Sequence, residues 1–327
     1  MTNRLKIALV YDLRDDYLAQ GLSHEQVAEF DSPATIEALA GAIGRLGHSV
    51  EKVGNGLELT RRLVAGDRWD LVFNIAEGMG GRSREAQVPA VLELFGLRYT
   101  FSDPLVCAIT LDKPMTKRVL LSAGLPTPRF AVAEQMEDLR DLDLEFPLFV
   151  KPAHEGTGKG IDADSQVRSP GQLQACCLRI WQRFRQPVLI EEYLPGREFT
   201  SAVLGTGRDA YALGTIEIRV RPDAPQKDYG FQAKEQCEQF VDYLPVPQRD
   251  LRAQLEELAL KVHRLLGCRD ASRVDIRLDN SGRPSILEIN PLPGLHPTHS
   301  DLPMIASYQG LCYDDLIGRI IESAMVR

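Results

Sequence analysis

No apolar run in this 327-residue chain reaches the length of a membrane span. Its first residues carry no leader-like layout either, since Lys6 interrupts the short run ending at Val10 and Asp12 follows. The expectation is a cytoplasmic protein without a membrane partner. Basic charge is in deficit, 38 Lys and Arg against 46 Asp and Glu for a net charge of −8. That excludes a nucleic-acid binder held by phosphate charge, although a local basic pocket is compatible with it. No CxxC pair occurs, so Cys107, Cys176, Cys177, Cys237, Cys268 and Cys312 read as free thiols of a reducing compartment. Walker A spacing, GxGxxG, internal repeats and low-complexity tracts are also missing, and no Ser-His or Cys-His nucleophile arrangement can be placed. What remains is ordinary globular composition, 44% hydrophobic and 26% charged, with about two domains' worth of chain. Disorder and coiled coil are excluded as the main state.

The N-terminal part alternates strands and helices. Strands are expected at 5–10, 49–53 and 69–74, with helices at 33–46, 57–65 and 84–95 between them. Ser32-Pro33 supplies a helix start and Gly96 a stop. This alternation implies a parallel sheet covered by helices. Further on, the spacing predicts one helix over 111–123, strands at 129–132 and 147–151, a helix at 170–184 and a strand at 188–191. Antiparallel strands between 198 and 220 follow, then an irregular stretch over 221–247 containing Pro222, Pro225, Pro245 and Pro247. A helix at 248–266, strands at 271–279 and 284–290, and a helix at 313–324 complete the chain. The fold class is α/β with an antiparallel part (α+β). Domains are expected at 1–105, 106–190 and 191–327.

The hairpin Arg273-Val274-Asp275-Ile276-Arg277 to Leu287-Glu288-Ile289-Asn290 is the most informative feature. Strand alternation puts Arg273, Asp275 and Arg277 on one face, and Glu288 with Asn290 on one face. A four-residue turn at 279–282 predicts Arg273 opposite Glu288, with Asp275 diagonal to it. Two carboxylates and an amide offer only oxygen, a donor set that suits Mg²⁺ beside a phosphate; ordinary strand-face salt bridges are the competing reading. The stretch Lys151 to Gly160 follows a strand, and its glycines let backbone N–H groups approach a polyanion. A glycine-rich hairpin turn has the same look. Val188 to Glu198 reads as a strand running into a linker, with an adenine edge or a plain turn as its two readings.

Together and in order, these stretches resemble the ATP-grasp fold and, within it, the D-alanine–D-alanine ligases. The matching residues are Leu111-Asp112-Lys113 with Lys117, Phe149 to Pro152 with the glycine loop, Glu191 to Glu198, Arg273-Val274-Asp275 and Glu288 to Gly294. The resemblance implies ATP bound by Lys113, Lys151 and the loop Glu155, Gly156, Thr157, Gly158 and Gly160. Adenine and ribose would meet Glu191, Tyr193, Leu194 and Glu198. Asp275, Glu288 and Asn290 would hold two Mg²⁺ ions, with Mn²⁺ as a substitute. Arg273, the Gly294 N–H and Lys234 would stabilise the reacting groups. Ser300 with His299 would hold the second substrate's carboxylate, Glu29 the first substrate's amine, and Tyr229 would stand near the substrates. The implied reaction joins two small amino acids through an acyl phosphate, with residues 221–247 as a lid and a homodimer as the assembly.

Three departures surround the substrates. Glu77, in Asn74-Ile75-Ala76-Glu77-Gly78, stands where the ligases carry His before Gly. Glu235 follows Lys234 where they have an aromatic residue, and the turn Gly294 to Ser300 is one residue longer. Ligases of the same mechanism acting on other amino or hydroxy acids therefore stay open, as does a non-catalytic ATP-binding regulator. His296 and His299 lack further ligands at metal spacing and read as loop or substrate residues.

Overall fold

A computed structural model describes residues 4–224 and 237–327. The chain builds three sheets, each closed by helices. The first is parallel, order β2-β1-β3, from β1 (Lys6–Val10), β2 (Ser49–Gly54) and β3 (Leu71–Asn74). Helix α1 is Arg14–Ala19; α2, Pro33–Arg45, starts as expected, with the Ser32 hydroxyl accepting from the Thr35 N–H. Helices α3 (Gly56–Val64) and α4 (Gln87–Leu94) cover the opposite face, burying Leu59, Leu63 and Leu92 against Val72 and Val10.

The second sheet, order β4-β7-β5-β6, is antiparallel. It comprises β4 (Phe130–Ala133), β5 (Leu148–Pro152), β6 (Gln166–Val167) and β7 (Val188–Glu192). Between the first two sheets lie α5 (Pro104–Leu111) and α6 (Lys113–Ser122). Helix α7 (Pro170–Phe184) packs Leu173, Cys177 and Ile180 onto the second sheet. The third sheet, order β10-β9-β8-β11-β12, carries β8 (Glu198–Leu204), β9 (Tyr211–Val220), β10 (Val241–Pro245), β11 (Ala271–Leu278) and β12 (Pro284–Asn290). One face meets the helix Arg249–Leu266 through Phe199, Val274 and Ile276. The other shares a core with Ile7, Leu9 and Phe73 of the first sheet and with the helices Asp301–Tyr308 and Tyr313–Met325. Each such buried apolar side chain contributes roughly 1.5–3 kcal/mol.

Four expectations need correction. The helix expected over 111–123 is α6, but α5 before it was not expected; Asp112 ends α5 and caps α6 by accepting from the Met115 N–H (2.9 Å), and Pro114 cannot continue a helix from Thr110. The short helix α1 and the helix Asp301–Tyr308 lie where the sequence reading places no element. The irregular stretch 221–247 is shorter than expected: Val241–Pro245 is an edge strand on β9, pairing Val241 with Val220 and Pro245 with Ile216, and Cys237–Phe240 is a helical turn. The hairpin register is also shifted. Asp275 lies directly opposite Glu288 and Arg273 opposite Asn290, and a bulge follows Asp275. The extra residue is Leu287, which turns to the same side as Glu288 instead of away from it.

Among the described residues no helix is long and apolar enough to cross a membrane. Cys107, Cys176, Cys177, Cys268 and Cys312 are free thiols.

Candidate active site

Two cavities meet at the β11–β12 pair. The first opens between the second and third sheets. Lys113, Lys151, Glu155, Gly158, Glu191, Tyr193, Leu194, Glu198, Asp275 and Glu288 all line it. Strand alternation explains part of this convergence, since Lys151 on β5 stands opposite Leu189 of β7 two places from Glu191. Glu191 is the electrostatic centre. It is buried between Lys151 (2.8 Å) and Lys117, whose ammonium also donates to the Thr127 hydroxyl at 2.6 Å. Burial alone raises the Glu191 carboxyl, but Lys117 and Lys151 together hold it below its ordinary value. Lys117 is pushed down to about 8 by the same burial, against the pull of Glu191.

The remaining carboxylates of this pocket are paired as well. Glu288 lies 3.4 Å from Lys113, Glu198 lies 3.5 Å from Arg277, and Glu155 meets Lys159 at 2.5 Å. Arg277 also donates to the Tyr193 hydroxyl (3.1 Å) and sits over its ring. Asp275 accepts from the Thr200 hydroxyl (2.8 Å) and from Arg273 (3.0 Å).

The second cavity, of about 690 Å³, lies between the first and third sheets. It collects Glu29, Glu77, Gly156, Thr157, Arg273, Asn290, Gly294, His299 and Ser300. The glycine loop is thus a partition, with Gly158 facing the first cavity and Gly156 and Thr157 the second. Glu29 anchors that partition from the N-terminal part. Its carboxylate takes two bonds from Arg84 (2.8 and 3.0 Å), one from Lys159 (3.0 Å) and one from the Gly156 N–H (2.7 Å). Gly156 is required there, because a Cβ would stand 2.5 Å from the Glu29 oxygen. Arg273 bridges Asp275 and Asp301, both at 3.0 Å. Ser300 accepts from the His296 N–H (2.9 Å), and a side chain on Gly294 would meet its hydroxyl at 2.8 Å. His299 stacks on His296 and faces Glu238 at 3.5 Å.

Asp275 and Glu288 face the first cavity and Asn290 the second, so this oxygen set spans their junction. No cluster of three His, Cys, Asp or Glu suited to a metal occurs among the described residues. Two carboxylates in register with an adjacent amide fit a hard cation that takes its other ligands from phosphate and water. Gly160 lines neither cavity. A Cβ there would meet Pro152 at 2.6 Å and the Phe184 ring at 2.8 Å, so its need is for packing. Lys234 and Tyr229, with Glu235, lie outside the described residues. Lys117, Arg84, Lys159 and Glu85 were not picked out from the sequence as site residues. The motif neighbourhood of Lys113 pointed to Lys117, and the glycine-rich stretch contains Lys159, but nothing local marks Arg84 or Glu85.

A family model described as the D-ala D-ala ligase C-terminus matches residues 119–322. A D-alanine–D-alanine ligase of Alcanivorax borkumensis is 34% identical over 311 residues, 95% of this chain and 93% of that protein. An uncharacterized protein of Sinorhizobium fredii is 36% identical over 78% of this chain and 74% of its own length. The crystal structure of a Bacillus anthracis D-alanine–D-alanine ligase complexed with ATP superposes with a TM-score of 0.75 at 22% identity, covering 99% of this chain and 98% of that one.

Proposed function

The chain belongs to the D-alanine–D-alanine ligase family, and from that premise we propose an ATP-dependent ligase that joins two small amino acids, by default two D-alanines, releasing ADP and phosphate. The observation that carries this reading is the junction at β11–β12, where Asp275 opposes Glu288 and Arg273 opposes Asn290 between a lysine-lined pocket and a second cavity.

In this reading Lys113 and Lys151 meet nucleotide phosphates, and the loop at Gly158 adds backbone N–H groups. Tyr193 and Leu194 flank adenine and Glu198 accepts from ribose. Asp275, Glu288 and Asn290 would hold Mg²⁺, which would neutralise phosphate oxygens. A carboxylate oxygen of the first amino acid attacks the γ-phosphorus while the bond to the β-phosphate oxygen breaks, leaving an acyl phosphate. The amine of the second amino acid then attacks the acyl carbon. The C–O bond to phosphate breaks, and the amine's proton passes to the departing phosphate. Arg273 and the Gly294 N–H face the junction where negative charge develops on the acyl oxygen. Ser300 orients the second substrate's carboxylate. Burial of both reactants between the sheets excludes water from the acyl phosphate.

We read the enzyme as cytoplasmic and homodimeric. The exposed apolar side chains Leu57, Val64 and Leu94 on α3 and α4 offer a surface for the second copy. The test of the activity is ADP release with ATP, Mg²⁺ and D-alanine, and across other amino acids singly and in pairs. Release with D-alanine alone is the expected result. Release only with another pair keeps the mechanism and replaces the default substrate, while no release with any pair overturns the ligase reading.

A further inference from the structure

Carboxylates facing the second cavity divide into two kinds. Glu29 is bound by Arg84 and Lys159, Asp301 by Arg273, and Glu238 faces His299. Asp31 also lines the cavity, where the Arg14 charge and a hydrogen bond from Thr35 oppose the effect of its burial. Glu77 and Glu85 differ. Both line the cavity, and no ion pair among the described residues reaches either of them. Glu85 is 7% exposed, and its Oε2 has no hydrogen-bond partner. It is held on the short helical turn Arg84–Ala86, beside the arginine that is already committed to Glu29. Burial, and then each other's charge and that of Glu29, push the Glu77 carboxyl well above its ordinary value. Burial and Glu29 lift Glu85 to about 7, against the opposing charges of Arg84 and Lys113. Two carboxylates without an ion pair in one wall, Glu85 buried and Glu77 partly buried, are costly unless a ligand compensates them.

Two carboxylates also exceed what one simple amino acid can satisfy. An α-ammonium group neutralises one of them and leaves the other buried without a partner. Glu29 does not take the ligand's amine from them, because its own oxygens are already saturated by Arg84, Lys159 and the Gly156 N–H. The cavity is within the volume range that holds drug-sized ligands, so space does not restrict the occupant to alanine.

We propose that Glu77 and Glu85 form a cation subsite, and that the amino acid bound against this wall is a diamino acid whose second ammonium group takes the second carboxylate. The assignment rests on the ligase reading only for the identity of the bound molecule as an amino acid. An anionic side chain is repelled there and a neutral one leaves a charge uncompensated, so the wall discriminates by what it rejects as well as by what it binds.

The test compares ornithine with norvaline, which has the same carbon chain without the second amine, in both D and L forms. Equilibrium dialysis of the full chain with radiolabelled amino acids, in the presence of Mg²⁺ and a non-hydrolysable ATP analogue, reads binding without turnover. Ornithine of one chirality is expected to bind at least about tenfold more tightly than norvaline. Glu85→Gln, and separately Glu77→Gln, should reduce that ratio to about two or less. Equal affinities in the unaltered protein overturn the proposal, and so does a preference that survives both substitutions. The ornithine–norvaline comparison needs no variant and stands even where a substitution prevents folding. ADP release with ornithine and D-alanine, alone and together, is followed in parallel. Ornithine binding through Glu85 with no ADP release from any pair sinks the ligase reading and keeps the subsite. ADP release from D-alanine alone with no ornithine preference keeps the ligase and sinks the subsite.

Discussion

The two cavities treat buried carboxylates in opposite ways. On the side of the second sheet, Glu155, Glu191, Glu198 and Glu288 each face a lysine or arginine of the protein itself. On the N-terminal side, Glu77 and Glu85 face none among the described residues. The first pocket therefore holds its charges in balance before any ligand arrives. The second carries a deficit of positive charge that a ligand can fill. The contrast implies that removing a charge has opposite consequences in the two places, and that contrast can be tested residue by residue.

The largest effect is expected at Lys117, which is 1% exposed. Lys117→Met leaves Glu191 with Lys151 alone and should lower stability by about 3–5 kcal/mol in urea unfolding. A loss below about 1 kcal/mol would mean that Lys151 suffices and that the pairing is not what holds this pocket. Asp275→Asn comes next. It keeps the shape and the bond from Thr200 but removes the charge shared with Arg273, and ADP release should fall by about a hundredfold or more. A variant keeping a tenth of the activity would remove Asp275 from the metal assignment. Gly156→Ala is the intermediate case. Its Cβ would stand 2.5 Å from Glu29, so the carboxylate must leave its bonds to Arg84 and Lys159, costing about 1–3 kcal/mol. A rise of about tenfold in the amino-acid KM, measured by ADP release, should accompany it.

The last effect has the opposite sign. The Glu85 carboxyl titrates near 7 in the folded chain and at its ordinary 4.5 when unfolded. Between those values the folded form holds the extra proton, so stability falls as pH rises from about 4.5 through 7. Glu85→Gln removes this dependence. It should raise stability by up to about 3 kcal/mol at pH 8 and by almost nothing at pH 4, read from thermal unfolding at the two pH values. An equal change at both would show that Glu85 is not protonated by its surroundings.

Local signals made much of the chain readable. Ser32 before Pro33 marked α2, and the same pattern of a capping residue before proline at Asp103-Pro104 marks α5, which was passed over. The alternation of β11 and β12 grouped Arg273, Asp275, Glu288 and Asn290 correctly, but pair counting from the turn missed the bulge at Leu287 and so the register. A bulge inserts a residue without any composition cue in so short a strand. Lys234 and Tyr229, read from the sequence as site residues, lie outside the described residues.

By itself the sequence determined most of the elements, the shared faces of the hairpin and the set of chemical groups available, because these follow from periodicity and residue type. Only the tertiary structure decided which charges meet. Glu29 and Lys159 are 130 positions apart, and Lys117 and Glu191 come from a helix and a strand brought together by packing. Whether a buried carboxylate is neutralised or left open to a ligand depends on such distant neighbours, since the field around it is summed over space and not along the chain.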